Sequence, residues 1–299
     1  MIAVVGVGAV GGVAAARLAS RGDLVCCVRT PFRELVVETA DVRFASTPRV
    51  EMEPARVGEV AWLLLATKAN QIEGAAPWLE ALVGARTRVA VLQNGVEHRE
   101  RLAPWVAPAR VVPVVVQCPC DITKPGHIVQ HAPARLTVPA DADGHAFAAL
   151  FAGSDIEVVP SEGFALEAWR KLCFNVTSGV LTALAARPLG EIDPARKTEI
   201  GRVLARECAA VARAEGVALG DDEALAIADM ISRANSRRGP SILADRLAGR
   251  PLEWDARNGV IVRIGARHGI DAPLNRRACA LLREAHRERD ADWLPRLLA

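Results

Sequence analysis

The sequence has no tyrosine and very little lysine. All but four of its 37 basic residues are arginine. The four lysines are Lys68, Lys124, Lys171 and Lys197. Arginine therefore serves almost everywhere that a positive charge alone is needed. Because a buried lysine can lose its proton and an arginine effectively cannot, the retained Lys171 raises the question of what it does that an arginine could not.

Other absences narrow the class of protein. No uncharged apolar run reaches the roughly 18 residues of a membrane helix, and a net charge of +2 gives no sign of a nucleic-acid or acidic-membrane partner. The apolar N-terminal stretch contains glycines and has no basic residue before it, which is not typical of a secretion signal. We therefore interpret the seven cysteines as reduced thiols and expect a cytoplasmic protein. Both a monomer and a homodimer remain open.

The length of 299 residues is enough for two domains. In the first half, short apolar runs alternate with helical stretches. The predicted strands are 2–5, 23–28, 61–67, 88–93, 110–116, 127–131 and 155–159. The runs 61–67 and 88–93 lack polar alternation, which is typical of central parallel strands covered on both faces. The pattern predicts an α/β domain with a doubly wound Rossmann sheet over residues 1–160.

The character of the chain changes after the segment 158–163, which contains a proline and turn-forming residues. Beyond it, apolar residues recur at three- and four-residue spacing, which is typical of amphipathic helices. Helices are predicted over 196–216, 222–235, 251–269 and 274–288. We therefore predict an all-α second domain over residues 161–299.

A glycine-rich turn follows the first strand and opens the first helix. It consists of Gly6, Val7, Gly8, Ala9, Val10 and Gly11. In a dinucleotide-binding turn the first glycine allows the tight bend, the second lets the backbone approach a pyrophosphate, and the third lets helix and strand pack closely. The N–H groups and dipole of the helix then face the phosphates. The turn predicts a dinucleotide site, and a purely structural glycine turn is the alternative.

The end of the second strand indicates which dinucleotide is bound. Enzymes that use NAD place an Asp or Glu there to hold the ribose 2′-OH. This chain has Arg29, with Thr30 beside it and Arg33 one turn further on. A carboxylate would repel a 2′-phosphate, whereas a guanidinium binds it in bidentate fashion. We infer NADPH, with a solvated surface arginine as the alternative.

Polar residues also follow two further strands. Lys68 comes after the run 61–67, and Asn94 comes after the run 88–93. Ligands of such sheets bind outside the carboxyl ends of the strands, so both residues are candidates for the site. The alternatives are a solvated helix start at Lys68 and a simple Asn-Gly turn at Asn94.

Lys171 lies in the helical segment A-W-R-K-L-C-F-N at 168–175. Burial would lower its pKa and allow it to give a proton to the alkoxide that forms when hydride adds to a ketone. Asn175, four residues later, shares its helix face and could hold a polar group of the substrate. From the residues alone, an ordinary surface lysine is an equally good interpretation.

With these segments assembled, nearly the whole chain resembles the ketopantoate reductase family, also called 2-dehydropantoate 2-reductases. The matching segments are G-V-G-A-V-G at 6–11, Arg29, T-K-A-N-Q at 67–71, L-Q-N-G at 92–95, E-A-W-R-K-L-C-F-N at 167–175, L-T-A-L at 181–184, and S-I-L-A-D and P-L-E-W-D-A-R-N-G within 241–259. The resemblance implies a Rossmann domain followed by a helical domain like that of 6-phosphogluconate dehydrogenase. It also implies NADPH-dependent reduction of 2-dehydropantoate to pantoate for coenzyme A synthesis.

The resemblance implies a role for each matching residue. Lys171 matches the family's proton donor, and Glu253 matches the carboxylate close to that lysine and to the nicotinamide. A carboxylate in that place would favour the charged lysine and orient it. The remaining matches, to residues that contact substrate or cofactor, are Asn94, Asn175, Ser241 and Lys68. The substrate, a small 2-oxo acid, is expected between the domains.

Two features depart from the family pattern. Gly179 stands where a second asparagine usually follows Asn175 by four residues, and the segment 117–122, with Cys118 and Cys120, replaces a small Gly/Thr/Ala-rich loop. A site that lacks a designed polar partner loses discrimination. A reductase of the same family that acts on another 2-oxo acid or ketone is therefore an alternative. A non-catalytic NADPH sensor is a second one, and the presence of both Lys171 and Glu253 favours an enzyme over it.

A possible zinc site is rejected. Cys118, Cys120, His127 and His131 have suggestive spacing, and H-x3-H suits a helix. However, Pro125 and Gly126 precede a segment that is predicted as a strand, where residues four apart are separated by roughly 13 Å. The histidines cannot share one ion in that geometry, so no metal is expected.

Overall fold

A computed structural model describes residues 1–298, apart from the side chain of Arg21. The chain divides into two compact units, Met1–Phe164 and Ala165–Ala299. The strands of the first unit are β1 (Ile2–Val5), β2 (Leu24–Cys27), β3 (Leu35–Glu38), β4 (Arg43–Ser46), β5 (Arg49–Glu51), β6 (Trp62–Leu65), β7 (Arg88–Val91), β8 (Val111–Pro113), β9 (Val115–Gln117), β10 (Cys120–Lys124), β11 (His127–Gln130), β12 (Arg135–Pro139) and β13 (Glu157–Ser161). Its α-helices are α1 (Ala9–Leu18), α2 (Ile72–Leu82), α3 (His98–Leu102) and α4 (Ala142–Leu150).

A six-stranded parallel sheet forms the main part of this unit. Its strand order is β5-β2-β1-β6-β7-β8. In the register, Val5 lies opposite both Cys27 and Leu65, and Leu65 lies opposite Val91. Four neighbouring strands therefore end level with one another. The predicted doubly wound parallel sheet is confirmed.

Both faces of the sheet are buried. Successive residues of the central strands belong to different cores, as Val4 and Val5 do. Helices α1 and α4 contribute to one core through residues such as Leu18 and Phe147, and α2 contributes to the other through Leu79. This two-sided covering is why the apolar runs of the sequence lack polar alternation.

The later strands of this unit differ from the prediction. The predicted strand at 110–116 is in fact β8 and β9, which belong to different sheets. Strand β9 pairs with β12, which also pairs with β13, while β10, β11, β3 and β4 form a further sheet. Several of these strands carry little apolar pattern: after Cys120, every residue of β10 is exposed. Such edge strands leave almost no trace in the sequence.

The second unit is helical. Its helices are α5 (Phe164–Ala185), α6 (Pro194–Ala214), α7 (Asp221–Arg233), α8 (Ser241–Leu247), a π-helical turn (Asp255–Gly259) that continues into α9 (Val260–Arg267), α10 (Pro273–Ala285) and α11 (Pro295–Leu298). No strand occurs in residues 165–298, which confirms the all-α prediction. Residues 175–185 of α5 are all buried, and Leu181 and Leu184 share a core with Leu204 of α6. Helix α5 is thus the central support of this unit.

Length and polarity exclude a membrane span for every helix within residues 1–298.

Candidate active site

The glycine-rich turn has the geometry that its sequence predicts. Gly6 has a φ of +91°, a conformation that suits only glycine well. A Cβ at Gly11 would lie 2.2 Å from the carbonyl oxygen of Gly6 and 2.9 Å from the Cβ of Ala66. A Cβ at Gly8 would meet no described heavy atom within 4 Å. Gly6 and Gly11 are therefore required by the protein's own packing, whereas Gly8 faces open space.

The other predicted residues of this unit follow neighbouring strands of the same sheet. Arg29 follows β2 and is exposed, while Lys68 follows β6 and Asn94 follows β7, and both are half-buried. Because the strands end level, the sheet edge presents Arg29, the glycine turn, Lys68 and Asn94 in that order. Three strand spacings of about 4.8 Å separate the two ends of this row, or roughly 14 Å.

Hydrogen bonds fix the loops that carry Lys68 and Asn94. The side-chain amide of Gln93 donates to Thr67 Oγ1 at 3.0 Å and so joins the two loops. His98 Nε2 lies 3.1 Å from the Gln93 carbonyl oxygen. Burial lowers the pKa of His98 to about 4, so the neutral ring donates this bond. His98 was not predicted from the sequence, because its place in a short helix after the Asn-Gly turn gives no sign of this role.

In the second unit, Lys171, Asn175 and Gly179 follow one another at single-turn intervals on α5. Lys171 is half-buried, and its Nζ lies 5.5 Å from the centre of the Phe174 ring. Burial, followed by the charge of Arg257, lowers the pKa of Lys171 to about 8. A neighbouring carboxylate acting alone would raise this pKa. Burial and Arg257 both favour the neutral form of Lys171, whereas the effect expected of Glu253 stays a prediction.

Arg257 lies in the π-helical turn and is the main group of this site that was not predicted from the sequence. Its side chain is 2% exposed, and Glu253 is 4% exposed. Glu253 Oε2 lies 3.9 Å from Arg257 Nη2, which also donates to Ser241 Oγ at 3.1 Å. Burial lowers the pKa of Arg257, while Glu253 and Asp245 oppose that shift. The sequence offered one clue, because Arg257 precedes the buried Val260 and Ile261 by three and four residues, a spacing that places it on their helix face.

The π-helical turn is anchored directly to α5. Asn258 Nδ2 donates to the Val176 carbonyl oxygen at 3.3 Å and to Asn275 Oδ1 at 2.8 Å. Asn275 Nδ2 donates in turn to Glu207 Oε2 at 2.8 Å. Short π-helical insertions are frequent at functional sites, where they re-aim side chains. Here the turn holds Arg257 against the helix that carries Lys171 and Asn175.

The guanidinium of Arg257 lies close to Gly179 of α5. A Cβ at Gly179 would lie 3.3 Å from Arg257 Nη1, which is tighter than ordinary van der Waals contact. The position at which the family resemblance implies a second asparagine is therefore next to the guanidinium of Arg257. Of the two departures from the family pattern, Gly179 is therefore the one that lies beside Arg257.

The cysteine and histidine residues of the first unit are arranged differently from a metal site. Cys118 Sγ and Cys120 Sγ are 3.6 Å apart, and His131 Nε2 contacts Asp121 Oδ2 at 2.7 Å. His127 begins strand β11, so the predicted strand is confirmed there. Within residues 1–298, no cluster of three or more His, Cys, Asp or Glu side chains is placed to hold a metal ion.

A dinucleotide-binding sheet edge, followed by a helical unit with a half-buried lysine, defines the class of NAD(P)-dependent oxidoreductases. The family model described as ketopantoate reductase PanE/ApbA matches residues 2–143, and the model of its C-terminal region matches residues 164–286. The chain belongs to the ketopantoate reductase PanE/ApbA family. Membership of this family favours an enzyme over a non-catalytic dinucleotide sensor.

Individual relatives cover nearly the whole chain. A 2-dehydropantoate 2-reductase of Caulobacter vibrioides is 45% identical over 95% of this chain and 98% of its own length. One of Mycobacterium tuberculosis is 40% identical over 92% of this chain and 94% of its own length. The crystal structure of a PanE/ApbA family ketopantoate reductase from Ralstonia eutropha has a TM-score of 0.85 at 30% identity, and the match covers 97% of this chain and all of the other. The similarity therefore extends over both units.

Proposed function

We propose that this protein is a cytoplasmic NADPH-dependent reductase that converts 2-dehydropantoate to (R)-pantoate in pantothenate and coenzyme A synthesis. The observation that carries the proposal is the half-buried Lys171, with a pKa of about 8, on one helix face with Asn175. The relatives described above supply the substrate and the reaction. The two-unit organisation, with a dinucleotide-binding unit over 1–160 and a catalytic unit over 161–299, is part of the same proposal.

The sheet edge of the first unit suits the cofactor. The first N–H groups of α1, at Ala9, Val10 and Gly11, have no partners within the helix and can serve phosphate oxygens. The open space at Gly8 allows a pyrophosphate to approach the backbone between Val7 and Ala9. When bound, NADPH would supply the hydride for the reduction.

The ends of the sheet edge suit different parts of the same dinucleotide. Arg29 is exposed after β2 and would hold the 2′-phosphate by charge-assisted hydrogen bonds. On the other side of the glycine turn, Lys68 and Asn94 would hold the nicotinamide half. Glu253 of the second unit is proposed to contact the cofactor as well.

Lys171 would protonate the carbonyl oxygen of the substrate. A pKa of about 8 keeps most of the lysine protonated at neutral pH and close to the optimum for proton transfer. Glu253 is proposed to orient the ammonium group. Asn94, Asn175 and Ser241 would hold the polar groups of the substrate.

The direct test is NADPH oxidation by the purified protein with 2-dehydropantoate, beside a panel of other 2-oxo acids and ketones. We expect fast turnover of 2-dehydropantoate and a strong preference for NADPH over NADH. Tight NADPH binding without turnover of 2-dehydropantoate would disprove the substrate assignment. Equal use of NADH would disprove the role of Arg29.

A second candidate is a reductase of the same family that acts on a different 2-oxo acid. The observation that favours it is Gly179, beside which Arg257 Nη1 lies in place of an asparagine amide. The same panel distinguishes the two candidates, because a different acid would then show the highest kcat/KM.

A further inference from the structure

The guanidinium of Arg257 has unused hydrogen-bonding capacity. Nη2 is engaged with Ser241 and lies near Glu253, but Nε and Nη1 are buried without a hydrogen-bond partner among the described residues. Buried polar groups are nearly always paired in native proteins. Two donors without a partner on a buried cation therefore point to a ligand that supplies acceptor atoms.

The charges around Arg257 indicate the sign of that ligand. Lys171 and Arg257 are both cationic and interact with each other, and Glu253 faces Arg257. Asp245 also acts on Arg257, but it binds the partly exposed Arg250 at 2.9 Å. Lys171 and Arg257 thus contribute two positive charges, while Glu253 contributes one negative charge beside Arg257. Buried charges are stable only when they are compensated. A monoanionic ligand would balance the group.

Because Gly179 has no side chain, it leaves room for the guanidinium of Arg257. A Cβ there would lie 3.3 Å from Nη1 and 3.5 Å from Ile242 Cγ2, so any larger side chain would press on the guanidinium. Ser241, which accepts a hydrogen bond from Arg257, is exposed and begins α8. A polar ligand at Ser241 therefore lies within reach of the same guanidinium.

We infer that Arg257, placed by Gly179 and acting with Ser241, recognises the carboxylate of the 2-oxo acid substrate. A planar guanidinium matches the two oxygens of a carboxylate and binds it more selectively than an amide does. In this inference, Gly179 and Arg257 together determine specificity for a substrate that carries a carboxylate. The inference rests on the proposed reduction of a 2-oxo acid, but not on which acid is reduced.

The experiment compares a charged substrate with an uncharged counterpart. Wild type, Arg257→Gln and Arg257→Lys are assayed with 2-dehydropantoate and with its neutral lactone at saturating NADPH. We expect kcat/KM for the acid to fall about 10- to 100-fold in Arg257→Gln, as for loss of a hydrogen bond between charged groups. The lactone value should change less than about threefold, since it has no carboxylate to lose. For Arg257→Lys, kcat/KM for the acid should lie between those of wild type and Arg257→Gln, because lysine keeps the charge but lacks the paired N–H donors of a planar guanidinium.

Matched controls separate recognition from structure. Arg276→Gln removes an exposed arginine charge of the same unit, paired with the exposed Asp271, and should leave the ratio of acid to lactone unchanged. Equal losses on acid and lactone in Arg257→Gln would overturn the inference, because they would show a structural role. A wild-type enzyme that reduces the lactone as well as the acid would also overturn it.

A second pair of variants tests the link to Gly179 and keeps the inference testable if Arg257→Gln does not fold. Gly179→Asn should lower kcat/KM for the acid about tenfold, because its side chain displaces Nη1. The same change in an Arg257→Lys background should cost clearly less, because the two positions are coupled. Strictly additive losses would contradict the pairing. If 2-dehydropantoate itself is not reduced, the proposed function fails, and the comparison is repeated with the acid that is turned over and its methyl ester.

Discussion

The two units of this protein place their functional groups by different means. In the first unit the candidate site is made largely of backbone, at the level ends of parallel strands, where Gly6, Gly8 and Gly11 shape the surface. In the second unit the candidate site is made of side chains, and a buried arginine interacts with a buried glutamate and with a half-buried lysine. A backbone site depends on which residues are absent, whereas a side-chain site depends on charges that the packing holds away from water.

This difference sets what each unit can tolerate. The sheet edge accepts many side chains as long as the backbone path and its glycines are kept. We expect the helical site to be sensitive to each charge, because burial strengthens the electrostatic interactions of Arg257 with Lys171 and Glu253. We therefore expect substitutions in the second unit to change chemistry, and substitutions in the first to change cofactor binding or folding.

Substitutions of Lys171 should give the largest difference between the effect on turnover and the effect on NADPH binding. Lys171→Ala should reduce kcat by about 10²–10⁴, the range attributed to general acid–base catalysis. Lys171→Arg should be nearly as inactive, because arginine keeps the charge but does not give up a proton. The Kd for NADPH, measured by fluorescence titration, should stay within about threefold of wild type in both variants. A tenfold change would require the loss of about 1.4 kcal/mol of binding free energy.

Lys124→Ala is the matched control, because Lys124 is exposed in β10 and serves neither site. It should leave both turnover and NADPH binding unchanged. A parallel loss of turnover and NADPH affinity in Lys171→Ala would instead place Lys171 in cofactor binding and remove the contrast between the units.

A substitution of Arg29 tests whether the first unit determines cofactor binding. Arg29→Asp should weaken NADPH binding by about 10- to 100-fold, because a charge-assisted hydrogen bond is replaced by repulsion. NADH, which lacks the 2′-phosphate, should be affected far less. The measurement is the KM for each cofactor with the same substrate.

Arg86→Asp makes the same charge change at an exposed turn before β7, at the opposite edge of the sheet. It should leave the ratio of the two cofactors unchanged. If Arg29→Asp also leaves that ratio unchanged, Arg29 is an ordinary surface arginine and NADPH specificity comes from elsewhere.

The sequence predicted the sheet edge better than the helical site, for a physical reason. A glycine turn between a strand and a helix is a local pattern, and the level ends of β1, β2, β6 and β7 follow from parallel pairing. Five strands were not predicted, namely β3, β4, β5, β10 and β12. For β4 and β10 the reason is that exposed edge strands have little apolar periodicity. The single predicted strand at 110–116 was wrong because β8 and β9 diverge into different sheets at Val114.

The helical site could be predicted only in part. Lys171 and Asn175 share a helix face by simple spacing, which the sequence shows directly. Arg257 was not singled out, because its role depends on packing against Gly179, a residue distant in sequence. The lowered pKa of Lys171 likewise depends on burial and on the position of Arg257, neither of which is encoded in local spacing.

The glycines of the first unit offer a smaller but more selective test. Gly11→Ala should destabilise the fold by about 1–3 kcal/mol, because its methyl group would overlap the Gly6 carbonyl oxygen. Gly8→Ala should leave the melting temperature nearly unchanged, because its methyl group points into open space, and should weaken NADPH binding about tenfold. Thermal unfolding and NADPH titration of both variants measure the two effects. A stability loss in Gly8→Ala as large as that in Gly11→Ala would contradict the assignment of Gly8 to the ligand.

The smallest expected effect concerns the pH dependence of the second unit. Reduction needs protonated Lys171, so kcat/KM should be constant below a pH of about 8 and fall as the pH rises through the pKa of Lys171. Arg257→Gln removes a positive charge that lowers this pKa, so the midpoint should move to higher pH. The shift should be less than about one pH unit, because burial is the larger cause of the lowered pKa and stays in place.

Profiles measured with the uncharged lactone, each normalised to its own plateau, separate this shift from the loss of carboxylate recognition. A midpoint that stays fixed in Arg257→Gln would mean that the two cations do not interact in the working enzyme. The helical site would then resemble the sheet edge, with groups that bind independently of one another.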